Sequence, residues 1–488
     1  MSREPGSQVE RDEIEHMDVV VVGMGAAGCA AALAAHDAGA RVVVLEKTGP
    51  GEAGGNTRVS GGGWFHHDDP ERAAVYLRAL CGDDRPLPEP VVRAWSHGTR
   101  EVSAWVESLG VEVGPHGHFN AAGAEYPELP GSDCYGGLRC VEGTLGQGRL
   151  FAVLEKALHD RGIDVRYETP VARLTTDALT GSVTGVVTAG GERIDAGRGV
   201  VLATGGFEGD PELVRTHLGL EDVPVWGSTA ATGDGLRMAQ EVGADLWHMD
   251  NMMAVNGITD PASRHGYFAM FVHARGVIWV DDTGRRFVDE FVPSGHGQAL
   301  IDGRYVLHPH RPMWVVFDEK TRSAGPISGS ADILPVGWNV LMNGYRWSSD
   351  NMTEIEAGWI RRGDTLEELA AVTGVPADAL AESVSEYNAA CAAGVDERFG
   401  RSAATLVPLL EPPFYAYRSG PMLAWTNGGP RRDEHARALA TDGTVIEGLY
   451  AAGTVSSTFS WAKDGGFHIA DAFVFGRIAG EHAARRIG

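Results

Sequence analysis

The sequence predicts an α/β fold: a parallel sheet with a phosphate-binding turn, and a separate pair of helices between two of its apolar runs. Three observations lead there. A β-branched run at residues 19–22 (VVVV) enters a glycine turn at 23–28 (GMGAAG) and then an alanine-rich stretch. Two more apolar runs, at 200–207 (VVLATGGF) and 448–453 (GLYAAG), also meet glycine. Separate helical periodicity falls between those two runs, at 365–371 and 377–393.

Each element has its own reason. Residues 19–35 are all apolar or glycine. A membrane-spanning helix needs roughly 20 apolar residues, and Gly23, Gly25 and Gly28 interrupt this run. It therefore divides into a buried strand, a turn, a helix to about residue 38 ended by Gly39 and Ala40, and a second strand at 41–45 closed by Glu46. Strand, G-x-G-x-x-G, helix, strand and acid form the dinucleotide pattern. The first glycine permits the tight turn, the second lets backbone approach a pyrophosphate, and the third lets helix pack on strand. Free N–H groups at the helix start favour the anion. Glu46 stands 23 positions after Gly23, where a carboxylate accepts from ribose hydroxyls.

Downstream, the small residues at 54–63 (GGNTRVSGGG) let backbone lie against a flat ligand. Asn56, Thr57 and Ser60 can bond phosphate or ring edges, a flexible loop being the plain alternative. Residues 145–160 read as a helix and 165–174 as a strand. Thr232-Gly233-Asp234-Gly235 starts another helix, and Val375-Pro376 divides the two inserted helices, the second ending at Gly394. Near the end, Asp464-Gly465-Gly466-Phe467-His468-Ile469 reads as a glycine turn opening a helix.

Composition narrows the function classes. At 488 residues the chain exceeds one ordinary core. Its 66 acidic residues against 41 Lys+Arg give a net charge of −25, which disfavours nucleic acid and anionic membrane surfaces as partners. The five cysteines, Cys29, Cys81, Cys134, Cys140 and Cys391, form no C-x-x-C, so no metal or iron–sulfur site is expected. The charged start at 1–16 has no apolar signal core, which reads as a frayed tail on a cytoplasmic protein.

Together G-x-G-x-x-G, GGNT, ATGGF, RFVDE (286–290) and LYAAG (449–453) resemble the FAD-binding fumarate reductase / succinate dehydrogenase flavoprotein family, over about residues 17–485. That family includes ketosteroid dehydrogenases and urocanate reductase. The resemblance implies a Rossmann-type FAD-binding domain in two pieces, about 17–243 and 405–488, with an inserted α+β capping domain at about 244–404 and a disordered tail at 1–16. Such a cap closes over substrate and excludes water. It implies noncovalent FAD, since 54–63 holds no histidine for flavin attachment; His66 and His67 are read as surface residues. The implied cofactor contacts are Gly23, Gly25, Ala26, Ala27, Gly28, Glu46, Lys47, Gly54, Gly55, Asn56, Thr57, Ser60, Gly61, Gly62, Val171, Ala203, Thr204, Gly205, Asp234, Gly453, Thr454, Gly466, His468 and Ile469. The helix opened at Gly466 is placed to favour a flavin carbonyl that turns anionic on reduction.

The family moves hydride between flavin N5 and a carbon next to a polarised group, while side chains steady that group and carry the second proton. Residues 275–290 resemble its RG…GxRFxxE hairpin. Fumarate reductases place a proton-donating Arg four residues past that Glu, and ketosteroid dehydrogenases a Tyr; here it is Ser294. The reductases' relay Glu, three residues before Arg275, is Val272. Their His before Gly428-Gly429 corresponds to Trp425, and their carboxylate-binding Arg before Gly465-Gly466 to Lys463. One lysine does not replace two bidentate arginines and a histidine, which argues against fumarate. Trp425, Phe459, Trp461 and Phe467 imply a larger, flatter, partly apolar substrate, packing of the domain joint being the alternative. Lys463 is the candidate to polarise a carbonyl or, desolvated, to act as base; a salt bridge with Asp464 is the alternative. His296 is the candidate proton carrier that Ser294 alone cannot be. Arg275 keeps its family position, and Glu290 is read as holding the cap hairpin.

The resemblance thus implies an FAD-dependent oxidoreductase acting on a CH–CH bond beside a carbonyl. Dehydrogenation of a bulky or cyclic ketone-like small molecule, with a diffusible electron acceptor, is the favoured direction. An ene reductase fed by an external donor, an amine or amino-acid oxidase, and a non-catalytic flavin-binding protein stay open.

Overall fold

The computed structural model describes residues 14–117, 123–146, 148–259, 266–268, 276–292, 294–301, 304–308, 312–328 and 346–487. Among the described residues, two large sheets organise the chain.

The first has eight strands. Its centre is Glu15–Val22, paired in parallel with Val42–Leu45 on one side and Arg193–Leu202 on the other. Asp164–Arg166 and Val445–Ala451 extend it in parallel at the two flanks. Val19, Val20 and Val21 are fully buried, as a parallel strand covered on both faces requires. The chain winds outward from Glu15–Val22 in one direction and later in the other. Such a switch point leaves a crevice beyond the carboxyl ends of the strands.

Local sequence accounts for the boundaries. Glu15 and His16 pair with Ile194 and Asp195, so the sheet reaches into the segment expected to be tail. The single strand expected at 165–174 is two, Asp164–Arg166 and Val171–Thr176. Glu168 turns at a φ of 53°, and Pro170 has no N–H to give a ladder. The helix expected from 145 is Arg149–Asp160, because Gly146 and Gly148 hold positive φ before it. The glycine turn leads into the helix Ala26–Asp37, which lies against the C-terminal helix Phe467–Arg485. Contact is backbone-close: a Cβ on Gly480 would stand 2.1 Å from the Ala31 carbonyl oxygen.

The second sheet has six strands, with Met252–Thr259, Phe414–Thr426, Met313–Asp318 and Val277–Val280 adjacent in that order and antiparallel. Ile278, Val280 and Val316 face the helices Leu366–Thr373 and Ala377–Ala393 through Leu369, Leu380, Val384 and Tyr387. Val277, Trp279, Val315 and Phe317 face the other way, the alternation a pleated strand imposes. Buried Glu290 accepts from Arg286 at 2.7 Å and Arg401 at 3.0 Å, and Arg286 reaches Asp396 at 2.7 Å. This network pins the hairpin, the role read for Glu290.

Phe414–Thr426 lies beyond the expected boundary at 405. It belongs to the second sheet along its whole length, and the chain rejoins the first sheet only at Arg437–Leu439 and Val445–Ala451. Among the described residues, no helix is long and apolar enough to cross a membrane.

Candidate cofactor and substrate site

A cavity of about 1160 Å³ fills the crevice at the switch point. Every cofactor contact expected from the sequence lines it except Gly28. Gly28 is instead buried against the turn: a Cβ there would lie 1.9 Å from the Gly23 carbonyl oxygen. Gly23 itself holds a φ of +96°, and its own Cβ would strike the Ala203 carbonyl oxygen at 2.5 Å. Turn, strand end and helix therefore touch with no room for side chains.

Polar groups shape this end. Glu46 accepts from the Met24 N–H at 3.0 Å with one oxygen and from the Thr48 N–H and hydroxyl with the other. Lys47 Nζ reaches Asp234 at 2.7 Å and Thr232 at 2.8 Å, tying the second strand to the helix Asp234–Glu241. Thr57 Oγ1 accepts from the Ala26 N–H at 2.8 Å. No side chain caps the helices that open at Gly25 and Gly466. Thr204 and His468 line the cavity, and Thr204 Oγ1 and His468 Nε2 are buried without a hydrogen-bond partner among the described residues. Open helix starts and orphaned polar atoms along one elongated cavity fit a bound dinucleotide.

Residues 54–63 contain the short helix Gly55–Val59 rather than only loop. Asn56, read as a ligand group, spends its amide on protein: Nδ2 donates to Glu208 at 2.9 Å and to the Ala424 carbonyl at 3.0 Å, and Oδ1 accepts from the Ser228 N–H at 2.6 Å. Glu208 is buried, and desolvation pushes its carboxyl up to about 7.

The other end of the cavity is built from side chains. Lys463 is 4% exposed, yet its ammonium makes no hydrogen bond or ion pair among the described residues; it sits 4.7 Å over the Trp425 ring. Burial lowers its pKa to about 7, against Glu125 and Asp464, which raise it. Asp464 does not pair with it. Its oxygens accept from the Tyr76 hydroxyl at 2.7 Å and from the N–H groups of Glu125 and Gly465 at 3.0 and 2.6 Å. Burial and the Glu125 charge raise Asp464 to about 7. His296 places Nδ1 2.8 Å from Glu125 Oε2, its ring 6.1 Å from that of Trp425. Burial lowers the pKa of His296, and that of His468 further. Tyr135, Leu138, Leu145, Trp226, Met253 and Val255 complete the wall.

Comparison with known proteins agrees with this geometry. The FAD binding domain family matches residues 18–466. The chain belongs to the FAD-binding fumarate reductase / succinate dehydrogenase flavoprotein family. It is an FAD-dependent oxidoreductase of the kind acting on CH–CH groups. This flavoprotein is 30% identical to a 3-oxosteroid 1-dehydrogenase of Mycobacterium tuberculosis over 587 aligned positions, covering 97% of this chain and 99% of that one. It is 28% identical to a probable fumarate reductase of Shewanella frigidimarina, over 96% of this chain and 75% of that one. Its fold resembles a 3-ketosteroid Δ1-dehydrogenase from Sterolibacterium denitrificans solved with 1,4-androstadiene-3,17-dione. That likeness has a TM-score of 0.78 at 25% identity, covering 96% and 99% of the two chains.

The flavoprotein's substrate end departs from the sequence reading in several places. Lys463, His296 and Trp425 share one wall, but Asp464 is turned away toward Tyr76. Arg275 and Val272 lie outside the described residues, as does the side chain of Ser294, whose backbone is in the strand Ser294–Gly295. Of the four aromatics, only Trp425 lines the cavity. Phe459 and Phe467 stack into a core cluster with Trp95, and Trp461 lies under Arg85, so domain packing accounts for them. His67 is buried, 2.8 Å from the Thr99 hydroxyl, and not a surface residue. Glu125, Tyr76, Tyr135 and Glu208 were not singled out. Glu208 directly follows the ATGGF run, a signal that was available; Glu125 and Tyr135 lie in a glycine-rich segment with no periodic pattern.

Proposed function

We propose that this flavoprotein dehydrogenates a CH–CH bond beside a ketone in a bulky, flat, largely apolar small molecule. One observation carries the reading: the Lys463 ammonium, with no hydrogen bond or ion pair among the described residues, and the His296 ring stand in the same apolar-walled cavity, both beside Trp425. Protonated, Lys463 donates to the ketone oxygen and acidifies the adjacent C–H. His296, kept neutral by burial, takes that proton at Nε2. Tyr135, Leu138, Trp226, Met253 and Val255 hold the carbon skeleton and keep water out. FAD, when bound, supplies the hydride acceptor, and a diffusible acceptor takes the electrons onward. Noncovalent attachment is supported by the absence of histidine from 54–63. Among the described residues no arginine lines the cavity, which tells against a dicarboxylate. The names of the steroid dehydrogenase relatives support a polycyclic ketone.

The test is an anaerobic visible titration of the yellow protein with saturated cyclic ketones, steroids among them, beside succinate and amines. Bleaching by a ketone is the expected result. Bleaching by succinate or an amine overturns it. If the chemically reduced protein is reoxidised by enones while no ketone bleaches the oxidised one, the direction is ene reduction.

A further inference from the structure

One carboxylate ties together both polar groups of the substrate end. Glu125 sits in the cavity wall, and its Oε2 lies 2.8 Å from His296 Nδ1. That contact fixes the tautomer and rotation of the ring, and leaves Nε2 as the nitrogen without a protein partner among the described residues. The ring holds its place from a backbone with a φ of 48°, a conformation that a non-glycine residue rarely adopts. The main chain of the same residue does a second job. The Glu125 N–H donates to Asp464 at 3.0 Å, on the oxygen that also takes the Tyr76 hydroxyl. With the Gly465 N–H on the other oxygen, Asp464 is held off the neighbouring Lys463, whose Nζ has no polar partner among the described residues.

We infer that Glu125 is a positioning residue for the reaction: its carboxylate sets the His296 ring with Nε2 open to substrate, and its N–H keeps Asp464 from neutralising Lys463. This rests on the reading of His296 as proton carrier. In the step it serves, the substrate C–H breaks, the proton forms a bond to Nε2, and the C–H electron pair stays with the substrate. The Nδ1–H remains on the ring, donated to Glu125, whose charge stabilises the imidazolium formed. Nothing else need be gained or lost.

The surrounding groups set the sign. His296 faces Glu125, which favours its cation, and Lys463, which opposes it; His468 packs nearby. Lys463 faces Glu125 and Asp464, both of which favour its cation. Asp464 meets Glu125 and Tyr76, and its charge reaches Tyr135 and Cys134. His116 is the remaining histidine in the wall. Replacing the carboxylate by an amide of the same shape therefore removes an anion from both His296 and Lys463 without emptying the space.

The experiment compares wild type with Glu125→Gln, both loaded with FAD. The first readout needs no substrate: the NMR titration of the His296 ring, assigned by its loss in His296→Ala. The expected result is a midpoint lower in Glu125→Gln by about one pH unit or more. An unchanged midpoint overturns the proposal. The second readout is the acid limb of kcat/KM for flavin reduction, which is expected to move down by the same amount while the maximum falls at least about tenfold. In a His296→Ala background, compared at a pH low enough to keep Lys463 protonated in both proteins, Glu125→Gln is expected to change the rate less than twofold; an undiminished effect there overturns the proposal. Should Glu125→Gln fail to retain FAD, Glu125→Asp keeps the charge but not the reach, and is expected to lower the rate with little change in midpoint. A shifted midpoint in a protein that no ketone reduces leaves the dyad standing and removes the reaction proposed above.

Discussion

The two ends of the cavity are built by opposite means. At the nucleotide end, backbone does the recognising. Gly23 and Gly28 are there because any Cβ would strike a carbonyl oxygen, at 2.5 and 1.9 Å. The phosphate turn itself is local, although Ala203 and Asp234 join it from far along the chain, and polar side chains such as Thr57 and Glu46 hold main-chain N–H groups rather than reach outward. At the substrate end, side chains do the recognising, and they come from far apart: Glu125 and Asp464, bonded at 3.0 Å, are 339 residues distant. A backbone-built site tolerates almost no change in residue size. A side-chain-built site changes its chemistry by exchanging single residues, as at Ser294, Trp425 and Lys463. That difference allows one cofactor fold to carry many substrates.

Four substitutions press on this contrast. The largest effect belongs to Gly28→Val. Its β-carbon has no space, so the turn must open, and the purified protein is expected to be colourless; retained flavin absorbance would show that the turn yields. Lys463→Ala is next. Flavin binding is expected to survive while the rate of flavin reduction by substrate falls by about 10²–10³; equal rates would mean that the lysine only packs on Trp425. Asn56→Ala crosses the boundary, since this residue at the nucleotide end holds a buried acid. Glu208 binds its proton more tightly folded than unfolded, its pKa standing near 7 against an ordinary 4.5. Its contribution to stability is therefore full below about pH 4.5 and lost as pH rises through 7. Asn56 bonds the ionised form, so removing it extends the loss upward. The expected drop in Tm is a few degrees at pH 8 and smaller at pH 5; a drop independent of pH would place the cost in packing. The smallest effect belongs to Asp250→Asn. Arg85 and Asp250 meet at 2.6 Å on half-exposed ground, where a pair contributes under about 1 kcal/mol. Urea unfolding is expected to move only slightly, and a large shift would mark that pair as a true latch.

Legibility in the sequence follows the same division. The helix Ala377–Ala393 was readable to the residue because Pro376 and Gly394 bracket it. The strand Phe414–Thr426 was not: it is buried on both faces over most of its length, so no alternation marks it. The glycine turn, with its acid 23 residues on, named its own ligand class. Lys463 and Trp425 emerged only through resemblance, at positions where relatives carry other residues. Phe459 and Phe467 stayed open between substrate wall and packing, because an aromatic beside a glycine motif looks the same whether it faces a ligand or a core. Glu125 was invisible, since nothing local distinguishes a carboxylate that will meet a histidine 171 residues later.

The strand Phe414–Thr426 carries one more consequence. Its first half is stitched to Met313–Asp318 and its second to Met252–Thr259, and it ends in the cavity at Trp425. Sliding by a single residue would turn every side chain to the wrong face, so the strand cannot slip in its sheet. The pairing skips Ala424, an irregularity between Leu423 and Trp425, so the second sheet pins the strand as far as Leu423 and the bulge aims its last aromatic at the lysine. One strand thus gives the second sheet its register and the substrate end of the cavity its aromatic wall.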